Sequence, residues 1–198
     1  MDSVITRLGE IGIIPVVAID DAADAAALGG ALMAGNLPCA EITFRTAAAA
    51  EAIKNMSEAH PDMCVGAGTV LTVEQAEEAK AAGAQFIVTP GFDAAVVDWC
   101  LANDMPITPG VMTPTEINMA LNKGIRLLKF FPAEVAGGIK ALKAIGGPYV
   151  GLKFIPTGGI NINNLPDYLA LPMVHACGGS FMVKKNLIAE KQDNQAGY

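Results

Sequence analysis

The sequence predicts an α/β protein built as an eight-stranded parallel (β/α)8 barrel of the TIM type, with a short or missing last helix. Eight short, apolar, β-rich runs start 20–26 residues apart. Stretches rich in Ala, Glu and Lys and of helical length separate them, the pattern of βα units feeding a parallel sheet. Eight such units close naturally into a barrel, whereas an open doubly wound sheet more often has five or six strands and a nucleotide fingerprint after the first. Neither GxGxxG nor GxxxxGKS/T follows any strand here.

Residues 13–19 form the first strand candidate, and residues 20–34 the first connecting helix. Residues 39–45 and 46–59 repeat the unit, then 64–69 and 72–82. Further strands are expected at 86–90, 106–110, 127–132, 153–157 and 174–178. Thr-Pro pairs at 108 and 113 shape the fifth loop and cap the helix behind it. Only about 20 residues follow the last strand, ending in the polar run 190–197, so the eighth helix is expected to be short, frayed or missing.

A chain of 198 residues, 52% of them apolar, buries one large core and is short for two enzyme domains, so residues 1–198 read as a single domain. The net charge is −7, and the 13 basic residues form no stripe that could follow a phosphate backbone, which argues against nucleic acid. Residues 25–40 carry no charge but contain Asn36 and Pro38 and fall short of the roughly 20 apolar residues a spanning helix needs, so no membrane is expected. Asp2 and Glu10 surround Arg7, unlike the basic start of a signal peptide, and the cytoplasm is the expected location. Cys39, Cys64, Cys100 and Cys177 form no CxxC pair and read as packed, reduced thiols. His60 and His175 fit no HxxxH or HExxH pattern, so a His-based metal site is not expected.

Chemistry in a parallel barrel gathers where strands run into the following loops. In Ala40-Glu41-Ile42-Thr43-Phe44-Arg45, strict alternation puts Glu41, Thr43 and Arg45 on one face and Ile42 and Phe44 on the other. The bland alternative is a merely wet face, but a strand covered on both sides rarely carries Glu and Arg without purpose. Lys129 is the one lysine in the largely apolar run 125–132. Burying a charged amine is costly, and the neutral amine is the form that attacks ketones. Lys153 occupies nearly the same frame 24 residues later, so periodicity leaves the two lysines undecided. Thr157-Gly158-Gly159-Ile160 and Gly178-Gly179-Ser180 follow the seventh and eighth strands, where glycine N–H groups commonly hold phosphate.

Glu41-Ile-Thr-Phe-Arg45-Thr46, Gly66-Ala-Gly-Thr69, Val88-Thr-Pro90-Gly, Lys129-Phe-Phe-Pro-Ala-Glu134, Pro156-Thr-Gly-Gly-Ile160 and Gly178-Gly-Ser180 occur in order from about residue 13 to 183. Together they resemble the 2-keto-3-deoxy-6-phosphogluconate (KDPG) / 4-hydroxy-2-oxoglutarate (KHG) aldolase family. The resemblance implies a metal-independent class I aldolase that needs no cofactor, acts on a phosphorylated keto acid and assembles as a homotrimer. It casts Lys129, not Lys153, as the Schiff-base nucleophile and Glu41 as the general acid/base. It gives Arg45 and Thr69 the pyruvyl carboxylate, Gly158, Gly159, Gly179 and Ser180 the distal phosphate, and Pro90, Phe131 and Thr157 the pocket wall between. Arg45, where related phosphogalactonate aldolases tend to carry a neutral residue, argues for the gluconate epimer. Phe181 stands where similar sequences often have tryptophan. The rival readings are a phosphate-binding barrel isomerase using Glu41 as base and an inactive barrel that senses a phosphorylated metabolite.

Overall fold

The strands run parallel because each returns through a helix. In the computed structural model, which describes residues 2–185 and residue 188, α1 (Asp2–Ile11) precedes β1 (Ile13–Val17), α2 (Asp24–Ala34), β2 (Cys39–Thr43), α3 (Ala49–Ala59), β3 (Cys64–Gly68), α4 (Val73–Ala81) and β4 (Ile87–Val88). Then come α5 (Ala94–Ala102), β5 (Ile107–Thr108), β6 (Gly110–Val111), α6 (Pro114–Asn122), β7 (Leu127–Phe130), α7 (Gly138–Gly146), β8 (Lys153–Pro156), α8 (Leu165–Leu169) and β9 (Cys177–Gly179). All sheet pairings between these strands are parallel.

An α/β protein with a parallel, curled sheet is therefore what forms. The pairing divides, however, into a six-stranded sheet, β5-β4-β3-β2-β1-β9, and a three-stranded sheet, β6-β7-β8, rather than one ring of eight. The division falls at Pro109, between β5 and β6. Proline has no N–H to give to a ladder, so the expected fifth strand is cut in two. Isolated bridges from Phe154 to Val174 and from Thr157 to Gly178 join β8 to the last strand segment. The expected strands at 39–45 and 127–132 stop earlier, at Thr43 and Phe130, and residues 44–46 already turn. The short last helix expected from the sequence falls mostly on residues 186–198, which lie outside the described residues apart from residue 188.

Strand alternation sorts the core. Val17, Ala40, Ile42, Val65, Ala67, Ile87, Leu128, Phe130 and Phe154 belong to the large cluster between strands and helices. Residues an odd number of positions away on the same strand runs, Ile14, Cys39, Cys64, Phe86, Val88 and Ile155, form a second cluster on the opposite, inner face. Leu8 of α1 is fully buried in that second cluster, with Val4 and Ile11 against it. The N-terminal helix therefore plugs the lower end of the curl, a part the sequence reading did not anticipate. His175 helps hold it, with Nε2 2.8 Å from the Ile5 carbonyl. A Cβ at Gly9 would lie 2.5 Å from that imidazole, so the helix approaches only because residue 9 is glycine. His60 does the same on α2, with Nε2 2.7 Å from Ala26 O beside Gly29.

Candidate active site

One pleat above the inner cluster, the strand ends turn polar. Glu41 stands two residues beyond Cys39 on β2, and Lys129 two beyond Leu127 on β7. Both side chains are almost fully buried, and Lys129 Nζ lies 3.7 Å from Glu41 Oε1. That distance is an ion-pair contact and too long for a hydrogen bond. Among the described residues Oε1 has no hydrogen-bond partner, an expensive arrangement for a buried carboxylate oxygen and one that leaves it able to bond an incoming group. The Phe131 ring centroid is 4.9 Å from Nζ, within cation–π range.

Space for the carboxylate comes from β3. Gly68 pairs with Thr43, and a Cβ there would lie 2.1 Å from Glu41 Oε1. Gly66, one pleat lower, makes the same kind of room for Phe86, whose ring would be 2.4 Å from an added Cβ. These two glycines are inward strand positions that set how deep the cavity is.

The cavity measures about 260 Å³ and is lined by Glu41, Arg45, Thr69, Pro90, Lys129 and Phe131 on one side and by Thr157, Gly158, Gly159, Gly179 and Ser180 on the other. Every residue to which the family resemblance gives a role thus lines one cavity. Val16, Ile160 and Gly178 also line it and were missed. Gly178 lay within a motif already noted; Val16, an apolar residue in an apolar strand, gives no signal of its own.

Arg45 reaches the cavity from the turn after β2. Its Nε donates to Thr43 Oγ1 at 3.1 Å, and that hydroxyl donates to Val17 O at 2.8 Å, so the guanidinium is tethered to the sheet. Thr69 has a left-handed φ of 55°. A β-branched residue there is strained by about 1–3 kcal/mol, a cost that marks residues held for a task. On the far wall, Gly158 and Gly159 have φ of 97° and 82°, conformations that favour glycine. Their carbonyls are engaged by groups outside the cavity lining: Gly158 O accepts from Glu134 N at 3.1 Å, and Gly159 O from Asn161 Nδ2 at 3.2 Å and Asn164 Nδ2 at 3.1 Å. Tying back these oxygens removes the groups that would repel an anion at this end.

Lys153 is elsewhere. It is the first residue of β8, in register with Leu127, exposed, and its amine donates to Pro172 O. Among the described residues, no group of three or more His, Cys, Asp or Glu side chains is placed to hold a metal ion. No helix among them is long and apolar enough to cross a membrane.

The family model for KDPG and KHG aldolase matches residues 4–196. The chain belongs to that family. A 2-dehydro-3-deoxy-phosphogluconate aldolase of Treponema pallidum is 50% identical over 189 residues, 96% of this chain and 90% of the relative. Among solved structures, a KDPG aldolase of Legionella pneumophila, with pyruvate captured as a covalent carbinolamine intermediate, superposes with a TM-score of 0.90 at 39% identity, over 96% of this chain and 91% of that one. The KDPG aldolase of Zymomonas mobilis ZM4, solved with 3-phosphoglycerate, gives a TM-score of 0.88 at 37% identity, over 100% and 95% of the two chains.

Proposed function

We propose that this family member is a metal-independent class I aldolase that cleaves KDPG to pyruvate and glyceraldehyde 3-phosphate through a Schiff base on Lys129. The observation that carries the reading is the buried amine 3.7 Å from a carboxylate oxygen that accepts no hydrogen bond from the described residues. These groups lie between a tethered cation and a glycine-lined anion cradle. Lys129 Nζ attacks the C2 ketone, and the carbinolamine loses water to give an iminium. As the C3–C4 bond breaks, its electrons flow into that iminium. Glu41, acting through water, takes the proton from the C4 hydroxyl. Glyceraldehyde 3-phosphate leaves, and the remaining enamine takes a proton back at C3 from the same carboxyl. Hydrolysis then releases pyruvate and restores the amine.

In this reading Arg45 and Thr69 hold the pyruvyl carboxylate, while Gly158, Gly159, Gly179 and Ser180 hold the distal phosphate. Pro90, Phe131 and Thr157 form the wall between. KHG, which has no phosphate, enters the same imine chemistry as a poorer substrate. The bridges from Phe154 to Val174 and from Thr157 to Gly178 support one closed (β/α)8 barrel spanning the chain as a single domain. Exposed Leu71, Met112, Val135 and Ile162, in loops after strands, offer apolar surface for the homotrimer that the family suggests. Residence in the cytoplasm fits a phosphorylated substrate of central metabolism.

Intact-mass spectrometry after incubation with pyruvate and sodium borohydride tests the reading. A reduced pyruvyl adduct is expected on the natural sequence and on Lys153→Ala, and none on Lys129→Ala. Folded natural protein that gives no adduct would overturn it and return the isomerase and sensor readings.

A further inference from the structure

Glu134 ends the Lys129-to-Glu134 motif, yet the proposed chemistry gives it no task. Its backbone N–H supports Gly158 O, and the neighbouring Ala133 N–H donates to Thr157 O at 2.8 Å. Its side-chain stem fills the space under the turn: a Cβ on Gly159 would lie 2.6 Å from both Glu134 Cβ and Cγ. Its carboxylate then reaches back to Tyr168 of α8, whose hydroxyl donates to Oε1. Tyr168 is fully buried. Burial first, and the Glu134 carboxylate second, push its phenol up, so it remains a donor through the neutral range. Gly138, at the start of α7, makes room for the pair, since a Cβ there would lie 3.0 Å from Oε1 and 3.3 Å from the phenol oxygen.

The β7–α7 loop and α8 are therefore clasped around the 157–160 turn by one hydrogen bond between an exposed-side carboxylate and a core phenol. We infer that Glu134 and Tyr168 form a positioning pair that holds this glycine turn in shape for a phosphoryl group and parks the Glu134 charge away from it. The inference rests on the proposed function both for the identity of the substrate and for the phosphate site at this turn. Without the phenol, the stem loosens under Gly159 and a carboxylate is free to swing toward the anion.

The test separates phosphate binding from imine chemistry. Glycerol 3-phosphate, an unreactive probe, is titrated calorimetrically into natural protein, Tyr168→Phe, Glu134→Ala and Glu134→Gln, each checked for an unchanged thermal midpoint. Pyruvate trapping by borohydride is measured in parallel. The expected result is about fivefold weaker glycerol 3-phosphate binding in Tyr168→Phe and Glu134→Ala, from the loss of one partly buried hydrogen bond. Glu134→Gln, which keeps an acceptor for the phenol, stays within about twofold of the natural protein, and all variants trap pyruvate at the natural rate. Unchanged glycerol 3-phosphate affinity in Tyr168→Phe, or a parallel fall in pyruvate trapping, overturns the inference. Failure of the aldolase reading looks different, because the natural protein itself then gives no pyruvate adduct while the calorimetric comparison still stands.

Discussion

Gly66 and Gly68 sit two residues apart on the same face of β3, and their replacement should have opposite consequences. At Gly68 an added methyl meets Glu41 from Cγ to Oε1, a flexible side chain that borders the cavity and can turn into it. Gly68→Ala is therefore expected to leave stability within about 1 kcal/mol of the natural protein while lowering kcat/KM by about 10²-fold, because the carboxylate is displaced. At Gly66 the methyl meets the Phe86 ring, packed in the inner cluster. Gly66→Ala is expected to cost about 1–3 kcal/mol by overpacking, with the folded fraction keeping normal pyruvate trapping. Urea titration and steady-state assay of both variants check the contrast; equal activity losses would contradict it. Neither role was legible in the sequence, where Gly-Ala-Gly at a strand end reads as a turn. The two lysines were opaque for a related reason. Lys129 and Lys153 share a periodic frame, and only register separates them: Lys153 pairs with Leu127, one pleat below Lys129, or about 6.6 Å at the rise of a strand.

At the scale of elements, the alternation of strands and helices was legible because each unit repeats the same apolar-run and helix pattern, and Thr113 announced the start of α6. It forms a capping box there. Glu116 N donates to Thr113 Oγ1 at 3.5 Å, and Glu116 Oε2 accepts from the backbone N–H groups of Met112 and Thr113 at 2.7 and 2.8 Å. Burial alone would raise the Glu116 carboxyl, but the hydrogen bonds from Met112 and Thr113 outweigh it and hold it below its ordinary value. A carboxyl lowered by folding contributes stability above its unfolded pKa, and that contribution is lost as pH falls through the folded value. Glu116→Gln and Thr113→Ala are each expected to cost about 1 kcal/mol at neutral pH, and the Glu116→Gln difference to shrink in acid. Urea midpoints at pH 7 and pH 3.5 check this. The element that sequence reasoning missed, α1, precedes the first strand and so falls outside the repeat. What shapes it is long-range: the buried Leu8, the His175 contact at Ile5 O, and Arg7 donating to Asp62 O.

Across the whole molecule, that helix decides how well the lower end is sealed, and the cysteines report on it. All four thiols are free and buried. Burial pushes Cys39, Cys100 and Cys177 up to about 12 and Cys64 up to about 11. Each thiol is thus easier to ionise in the unfolded chain, where it titrates near its ordinary value. The stabilisation from keeping the thiols protonated is fully present below that value and drains away as pH rises from about 9 towards 11 or 12. Unfolding midpoints in urea should accordingly be level from pH 7 to 8.5 and fall steeply by pH 10.5, and a chain with all four cysteines replaced by alanine should show a shallower fall. Cys39 and Cys64 stand side by side in register at the base of β2 and β3, in the inner cluster that Leu8 completes. Truncating Leu8 to alanine leaves a cavity worth about 2–5 kcal/mol at that seal and should open it locally before the rest of the fold yields. In native buffer at pH 8, a disulfide reagent such as dithionitrobenzoate is expected to modify Leu8→Ala at Cys39 and Cys64 at least tenfold faster than the natural protein. Cys100 is buried in the cluster between strands and helices, so it should react at a rate that follows global stability alone. If all four thiols of Leu8→Ala instead accelerate together, the helix is an integral part of one cooperative unit and not a separable plug.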